Sequence, residues 1–348
     1  MNNAGMKKFF YQASVFTGVC MIMMLQRAAT KHILITDAAG KEIDRSFSEE
    51  SFNLLISSEV SNGQSGKLTI PLPKSVSSDD IILEDRYIDH ELLIYIDGRE
   101  EGFYLDNAVL TDLDIIESAV CISENDSGSV CLDFKLDGLY ANESSLTESS
   151  TIEVSFFKPY DKYDNIVVVD PVAPDTVLER DYADPLEKDI ALDVALLLKG
   201  EAEKADNRST KFYYTRLSSG EVSPERVREL IDETEADLVL RIGTESYENH
   251  QDGVRSYYNG EFFLRGFNNA EFAGLMAASC ASKAGADVVG VYETNDDILS
   301  YSQVPSARVS VGSLGGTQDQ ERLSDKSYKH KLAEGLYQGI MQGIEEIK

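Results

Sequence analysis

The chain has 348 residues, 61 of them acidic and 32 basic, so its formal charge is −29; 42% are hydrophobic, and there are four His and four Cys. That length holds two domains of ordinary size plus a short extra segment, and the apolar fraction is that of a folded chain, not a disordered one. So acidic a surface excludes nucleic acid as a partner, because phosphate binding needs clustered Lys and Arg, and it disfavours electrostatic docking on anionic lipid or wall polymers.

Residues 1–31 carry Lys7-Lys8 ahead of a mostly apolar stretch, 9–25, closed by Gln26-Arg27. This is at the short end of what spans a bilayer, and it reads as a signal anchor or signal peptide, with a soluble helix as a third reading. No small-x-small site follows Leu25 and no lipobox surrounds Cys20, which favours the uncleaved anchor. Either membrane reading places the rest of the chain outside the cytoplasm, membrane-anchored or secreted.

From residue 32 to 163, short runs rich in Ile, Leu and Tyr alternate with turn residues: 32–36, 52–57, 67–72, 81–87, 91–96, 102–105, 113–122, 130–136 and 151–157. Short strands at regular spacing, with no convincing helix, predict a β-rich domain of sandwich or barrel type. Cys121 and Cys131 flank a polar turn. A turn centred on Asp126 sets them face to face within reach of a disulfide; two reduced thiols are the alternative. The Ser-rich stretch 142–150 is predicted as a loop, and 158–164, with Pro159, as the domain joint.

After residue 164 strands alternate with helices. Residues 166–170 form an apolar strand ending in an acid. Asp184-Pro185-Leu186-Glu187 predicts a helix start, with Asp as N-cap and Glu at the third position, ahead of the stripe Ile190, Ala191, Val194, Leu197 and Leu198. Strand 211–215, a helix from Ser223-Pro224 to 233, strand 237–242 and a helix from Asn268 or Asn269 follow. Strands 287–292 and 307–312 then precede a last helix carrying Tyr328, Leu332, Leu336, Ile340 and Ile344. Residues 164–348 are therefore an α/β domain with a mostly parallel sheet flanked by helices.

Several segments of this domain form a known pattern: Ile166 to Pro171, Glu187 to Asp193, Tyr214-Thr215-Arg216, Arg226, Ala236-Asp237-Leu238, Gly253, Tyr257-Tyr258-Asn259 and Val304-Pro305. In order and spacing, residues 165–346 resemble the zinc-dependent N-acetylmuramoyl-L-alanine amidases, which cut muramic acid from its peptide in bacterial peptidoglycan. The preceding 32–163 looks loosely like the β-rich domains found ahead of some of them. The resemblance implies a tetrahedral zinc held by His, Glu and His, with a fourth position for water and a separate Glu as general base.

The first His belongs to an Asp-Pro-Gly-His-Gly-Gly turn, but residues 170–175 put Ala173 there. The Glu ligand persists as Glu187, which the capping role also explains. The second His is replaced by Gly243 in Arg241-Ile242-Gly243-Thr244-Glu245, and the base is replaced by Ser310. Three of four chemical positions are lost together, so neither zinc nor another cofactor is expected. Of the four His, His32 and His90 lie in the β-rich domain and His330 on the last helix; His250 alone sits in a loop that can approach the old pocket. It joins Asp170, Glu187 and Glu245 as the candidate binding residues, with Asp175 and Glu248 nearby. Those acids could form a weak hard-cation site, although so acidic a chain clusters carboxylates by chance. No Ser-His-Asp or Cys-His arrangement is predicted.

Three functions are compatible with this reading. The first is a catalytically silent amidase-like protein at the envelope that binds a peptidoglycan fragment or a protein partner without hydrolysis. The second is an active peptidoglycan amidase with a rearranged site built on Glu187, His250 and nearby acids. In the third, the β domain is a scaffold and the α/β domain a spacer.

Overall fold

Residues 35–37 and strands within 51–157 build two β-sheets. The computed structural model describes residues 35–37, 51–60, 65–98, 102–123, 129–173, 189–245, 251–261, 266–315 and 317–348. The apolar N-terminal stretch, Asp126, the predicted helix start at Asp184, Glu187 and His250 lie outside the described residues. Two units divide the chain, parting between Phe156 and Phe157.

In the first unit the strands are β1 (Ile35–Asp37), β2 (Ser51–Asn53), β3 (Ile56–Ser57), β4 (Lys67–Pro71), β5 (Ile81–Arg86), β6 (Glu91–Ile96), β7 (Val109–Thr111), β8 (Ile116–Ser123), β9 (Val130–Leu136), β10 (Ala141–Leu146) and β11 (Thr151–Phe157). One sheet runs β1-β5-β6-β9-β8-β2, the other β10-β11-β4-β7-β3. Alternation along the strands turns Leu68, Ile70, Ile152 and Val154 of one sheet and Leu83, Leu92, Ile94, Leu132 and Phe134 of the other into one shared core,. This is a β-sandwich, as the spacing predicted.

Three local expectations differ from the structure. Residues Phe103–Asp106 form a single helical turn rather than a strand. It follows Gly102 at φ 75°, a left-handed conformation that a strand cannot pass through and that glycine adopts without penalty,. Part of the Ser-rich stretch is strand β10, whose Ala141, Asn142 and Ser144 are buried: edge pairing to β11 overrides its weak β-propensity. The Cys pair is also out of step. Cys121 stands opposite Leu132, and Cys131 opposite Ile122. A one-residue offset sends the two side chains to opposite faces, and both are free thiols. Burial pushes Cys121 up to about 11 and Cys131 to about 12.

The second unit holds β12 (Asn165–Pro171), β13 (Thr210–Tyr214), β14 (Leu238–Glu245), β15 (Val254–Tyr258), β16 (Val288–Glu293) and β17 (Ser306–Ser313). Its helices are α1 (Ile190–Lys204), α2 (Pro224–Thr234), α3 (Asn269–Ala284), α4 (Asp297–Tyr301), α5 (Thr317–Ser324) and α6 (Lys326–Glu346). The sheet order is β13-β12-β14-β17-β15-β16. Strands β13, β12, β14 and β17 are parallel; β15 runs against β17, and β16 lies parallel to β15. Every residue of β12 is buried, as a strand covered on both faces requires.

Val194 and Leu198 of α1, Phe272 and Met276 of α3, and Leu332, Leu336 and Ile340 of α6 pack on Val167, Val169, Leu240 and Val309. From α2, Val227, Leu230 and Ile231 are buried, and this helix also contacts β12. Helix starts follow the sequence signals in two cases. Ser223 caps α2 ahead of Pro224, and Asn268 forms a capping box with Glu271 at the start of α3,. At the third, α1 as described is capped by Asp189, whose carboxylate accepts from the Leu192 N–H at 3.2 Å, while the predicted start at Asp184 lies outside the described residues. Both acids precede the same apolar stripe, and spacing alone does not decide between them.

Candidate functional site

The carboxyl ends of parallel strands are where α/β sheets place their ligands, because the loops that follow can be varied without disturbing the core. Register fixes what this sheet presents there. Asp170 of β12 stands opposite Arg241 of β14, Arg241 opposite Arg308 of β17, Arg308 opposite Tyr257 of β15, and Tyr257 opposite Tyr292 of β16. Paired residues share a face, so these five side chains form one row across the sheet. In the next row, Gly243 stands opposite Ser310 and Ser310 opposite Arg255.

The β12 end of the row is internally satisfied. Buried Asp170 accepts from the Thr215 hydroxyl at 2.6 Å and from Arg241 Nε at 2.7 Å. Arg241 also pairs with Asp296, the N-cap of α4, whose other oxygen accepts from the Ile298 and Leu299 N–H groups. Burial works against the Arg241 charge, but the Asp170 and Asp296 carboxylates outweigh it and hold the guanidinium above its ordinary pKa,. Arg216 makes a second brace. It donates to the carbonyls of Pro171 at 2.7 Å and Val172 at 3.3 Å, and forks onto the Asp189 carboxylate. One buried guanidinium thus ties the end of β12 to the start of α1.

The middle of the row differs. A Cβ placed on Gly243 would lie 3.3 Å from both Nε and Nη2 of Arg308. The guanidinium therefore covers the position at which the amidase pattern has a His. Arg308 sits 5.9 Å from the Tyr257 ring, an arrangement favourable to a cation over a π-face,. The Ser310 hydroxyl donates to the Gly312 carbonyl at 3.3 Å and is fully buried. Ala173, two residues past the end of β12, offers a methyl. Glu245 lies beside the Tyr257 hydroxyl: burial first, then this carboxylate, pushes the phenol up to about 12.

Of the predicted residues, the structure thus brings Asp170, Gly243, Glu245 and Ser310 to one end of the sheet. Glu187 and His250, with Asp175 and Glu248, lie outside the described residues. Arg255, Arg308 and Tyr257 form the surface around Gly243, and no role was foreseen for the two arginines. Sequence spacing puts Arg308 on the face of Ser310 and Arg255 on that of Tyr257, but does not say what lies opposite them.

Residues 180–342 match the family model described as N-acetylmuramoyl-L-alanine amidase. Over most of its length the second domain is similar to that family. A curated relative, the uncharacterized protein YqiI of Bacillus subtilis (strain 168), is 26% identical over 106 residues, 30% of this chain and 50% of its own. The chain spans about half the length of that relative. Among solved structures, the catalytic domain of the amidase CwlV from Paenibacillus polymyxa var. colistinus is 19% identical, with 53% of this chain and 99% of that one covered and a TM-score of 0.45. The amidase AmiC2 of Nostoc punctiforme is 21% identical, covering 52% and 97%, with a TM-score of 0.44. The CwlD amidase of Clostridioides difficile, solved in complex with the GerS lipoprotein, is 16% identical, covering 52% and 98%, with a TM-score of 0.42.

Proposed function

We propose that this is a catalytically silent amidase-like protein of the cell envelope, one that binds a peptidoglycan fragment or an envelope protein without hydrolysing peptidoglycan. The observation that carries the reading is Arg308 over Gly243. A tetrahedral zinc site needs lone pairs converging on a cation. Ala173 and Gly243 have none to give, and a guanidinium within van der Waals reach of residue 243 adds a positive charge where a dication would need a donor. Zinc therefore does not fit the described residues. Ser310, with its hydroxyl engaged by Gly312, supplies no carboxylate to deprotonate water,.

Peptidoglycan is the ligand class that the family resemblance suggests, and the extracytoplasmic side is where it is met. Residues 1–31 supply the anchor or signal in this reading; among the described residues no helix is long and apolar enough to cross a membrane. With a net charge of −29, attachment to the wall relies on shape and hydrogen bonds, not on bulk attraction to anionic polymers,.

The test is turnover. Purified full-length protein is incubated with peptidoglycan and added zinc, and newly freed peptide amino termini are counted beside an active amidase. No release above buffer is expected. Zinc-dependent release of stem peptide would reject the proposal.

A further inference from the structure

We infer that Arg308 is the receiving group for an oxyanion, so that the pocket has exchanged a bound cation for a fixed cationic side chain. The inference rests on the non-hydrolytic reading above and names the chemistry of the ligand. The row across the sheet gives the reason. Arg241 is matched by two carboxylates, Asp170 and Asp296. Its neighbour in register, Arg308, is matched by none: among the described residues it has no ion pair or hydrogen bond, and its contact is the Tyr257 ring. Its Nε is buried and unpartnered.

A buried charged donor left without an acceptor is costly, and it is conspicuous in a chain with almost two acids for every base. Like charges in register on adjacent strands add to that cost. Arg255, diagonal to Arg308 on the same face, gives one N–H to the Gln251 carbonyl at 3.1 Å and has no ion pair among the described residues. Two guanidiniums thus flank Ser310; the nearby Glu245 carboxylate engages the Tyr257 hydroxyl and forms no ion pair with either among the described residues. Their planar donor forks match a carboxylate, or the similar edge of a phosphate, through paired N–H···O bonds. Stem peptides of the wall carry free carboxylates, and a carboxylate-bearing fragment is the ligand this geometry accepts.

The experiment titrates full-length protein by calorimetry with three probes: an N-acetylmuramoyl dipeptide ending in a free carboxylate, its carboxamide counterpart, and inorganic phosphate. The carboxylate probe is expected to bind about tenfold or more tightly than the carboxamide. Arg308→Gln should lose that preference, and Arg308→Lys, which keeps the charge without the fork, should fall between. Competition by phosphate at the same site would support the oxyanion site and make free phosphate an alternative source of the anion. Equal affinity of the wild type for carboxylate and carboxamide would overturn the inference without relying on any variant's folding. So would unchanged affinity in Arg308→Gln, or no binding of any probe at about 1 mM. Hydrolysis of the dipeptide probe would sink the silent-enzyme reading and still leave the charge preference measurable.

Discussion

Arg241 and Arg308 stand side by side on adjacent strands and do different work. Arg241, with 15% of its side chain exposed, holds Asp170 and Asp296, 5% and 10% exposed, in one charged knot. Removing one member of such a knot leaves carboxylates buried without a partner, at a cost of about 3–5 kcal/mol. Arg241→Leu should therefore lower the urea midpoint of the second domain by a corresponding amount, followed by circular dichroism; an unchanged midpoint would show that the knot contributes nothing. At this scale the sequence was partly legible. Ala173, Gly243 and Ser310 stand out because the resemblance says what should be there. The arginines do not, because a charge in a strand acquires meaning only from its partners, and register across four strands supplies those.

At the scale of elements, helix α6 lies against α3 through a line of small residues. A Cβ on Gly335 would come within 2.6 Å of the Ser279 carbonyl oxygen and 2.7 Å of Cys280 Cα, and both are backbone. Alanine favours a helix by about 1 kcal/mol over glycine, but forcing two helices apart costs about 1–3 kcal/mol. Gly335→Ala is expected to destabilise by about 1–2 kcal/mol in urea unfolding. Gly200→Ala, on α1 with open space around it, should instead be neutral or stabilising by up to about 1 kcal/mol. A stabilised Gly335→Ala would disprove the close approach.

Strands and helices with strong periodicity were legible throughout: β12 from its run of β-branched residues, α2 and α3 from their caps, α6 from its apolar stripe. Elements whose residues are individually neutral, such as β10 and the turn Phe103–Asp106, were not. The Cys121–Cys131 hairpin shows how fine the limit is. Its strands were recognised, but a one-residue difference in register, hidden in a turn without periodicity, moved the thiols to opposite faces.

For the whole molecule, composition first argued against nucleic acid as a partner. The described structure adds a local reversal: in a chain of net charge −29, the candidate site holds a guanidinium, Arg308, with no ion pair among the described residues. In the proposed reading, Arg308 beside Gly243 suits the domain to holding an anionic fragment and not zinc. The most direct measurement is the zinc stoichiometry of purified full-length protein, equilibrated with excess zinc and then dialysed. Far less than one zinc per chain is expected; one tightly held zinc per chain would contradict the account.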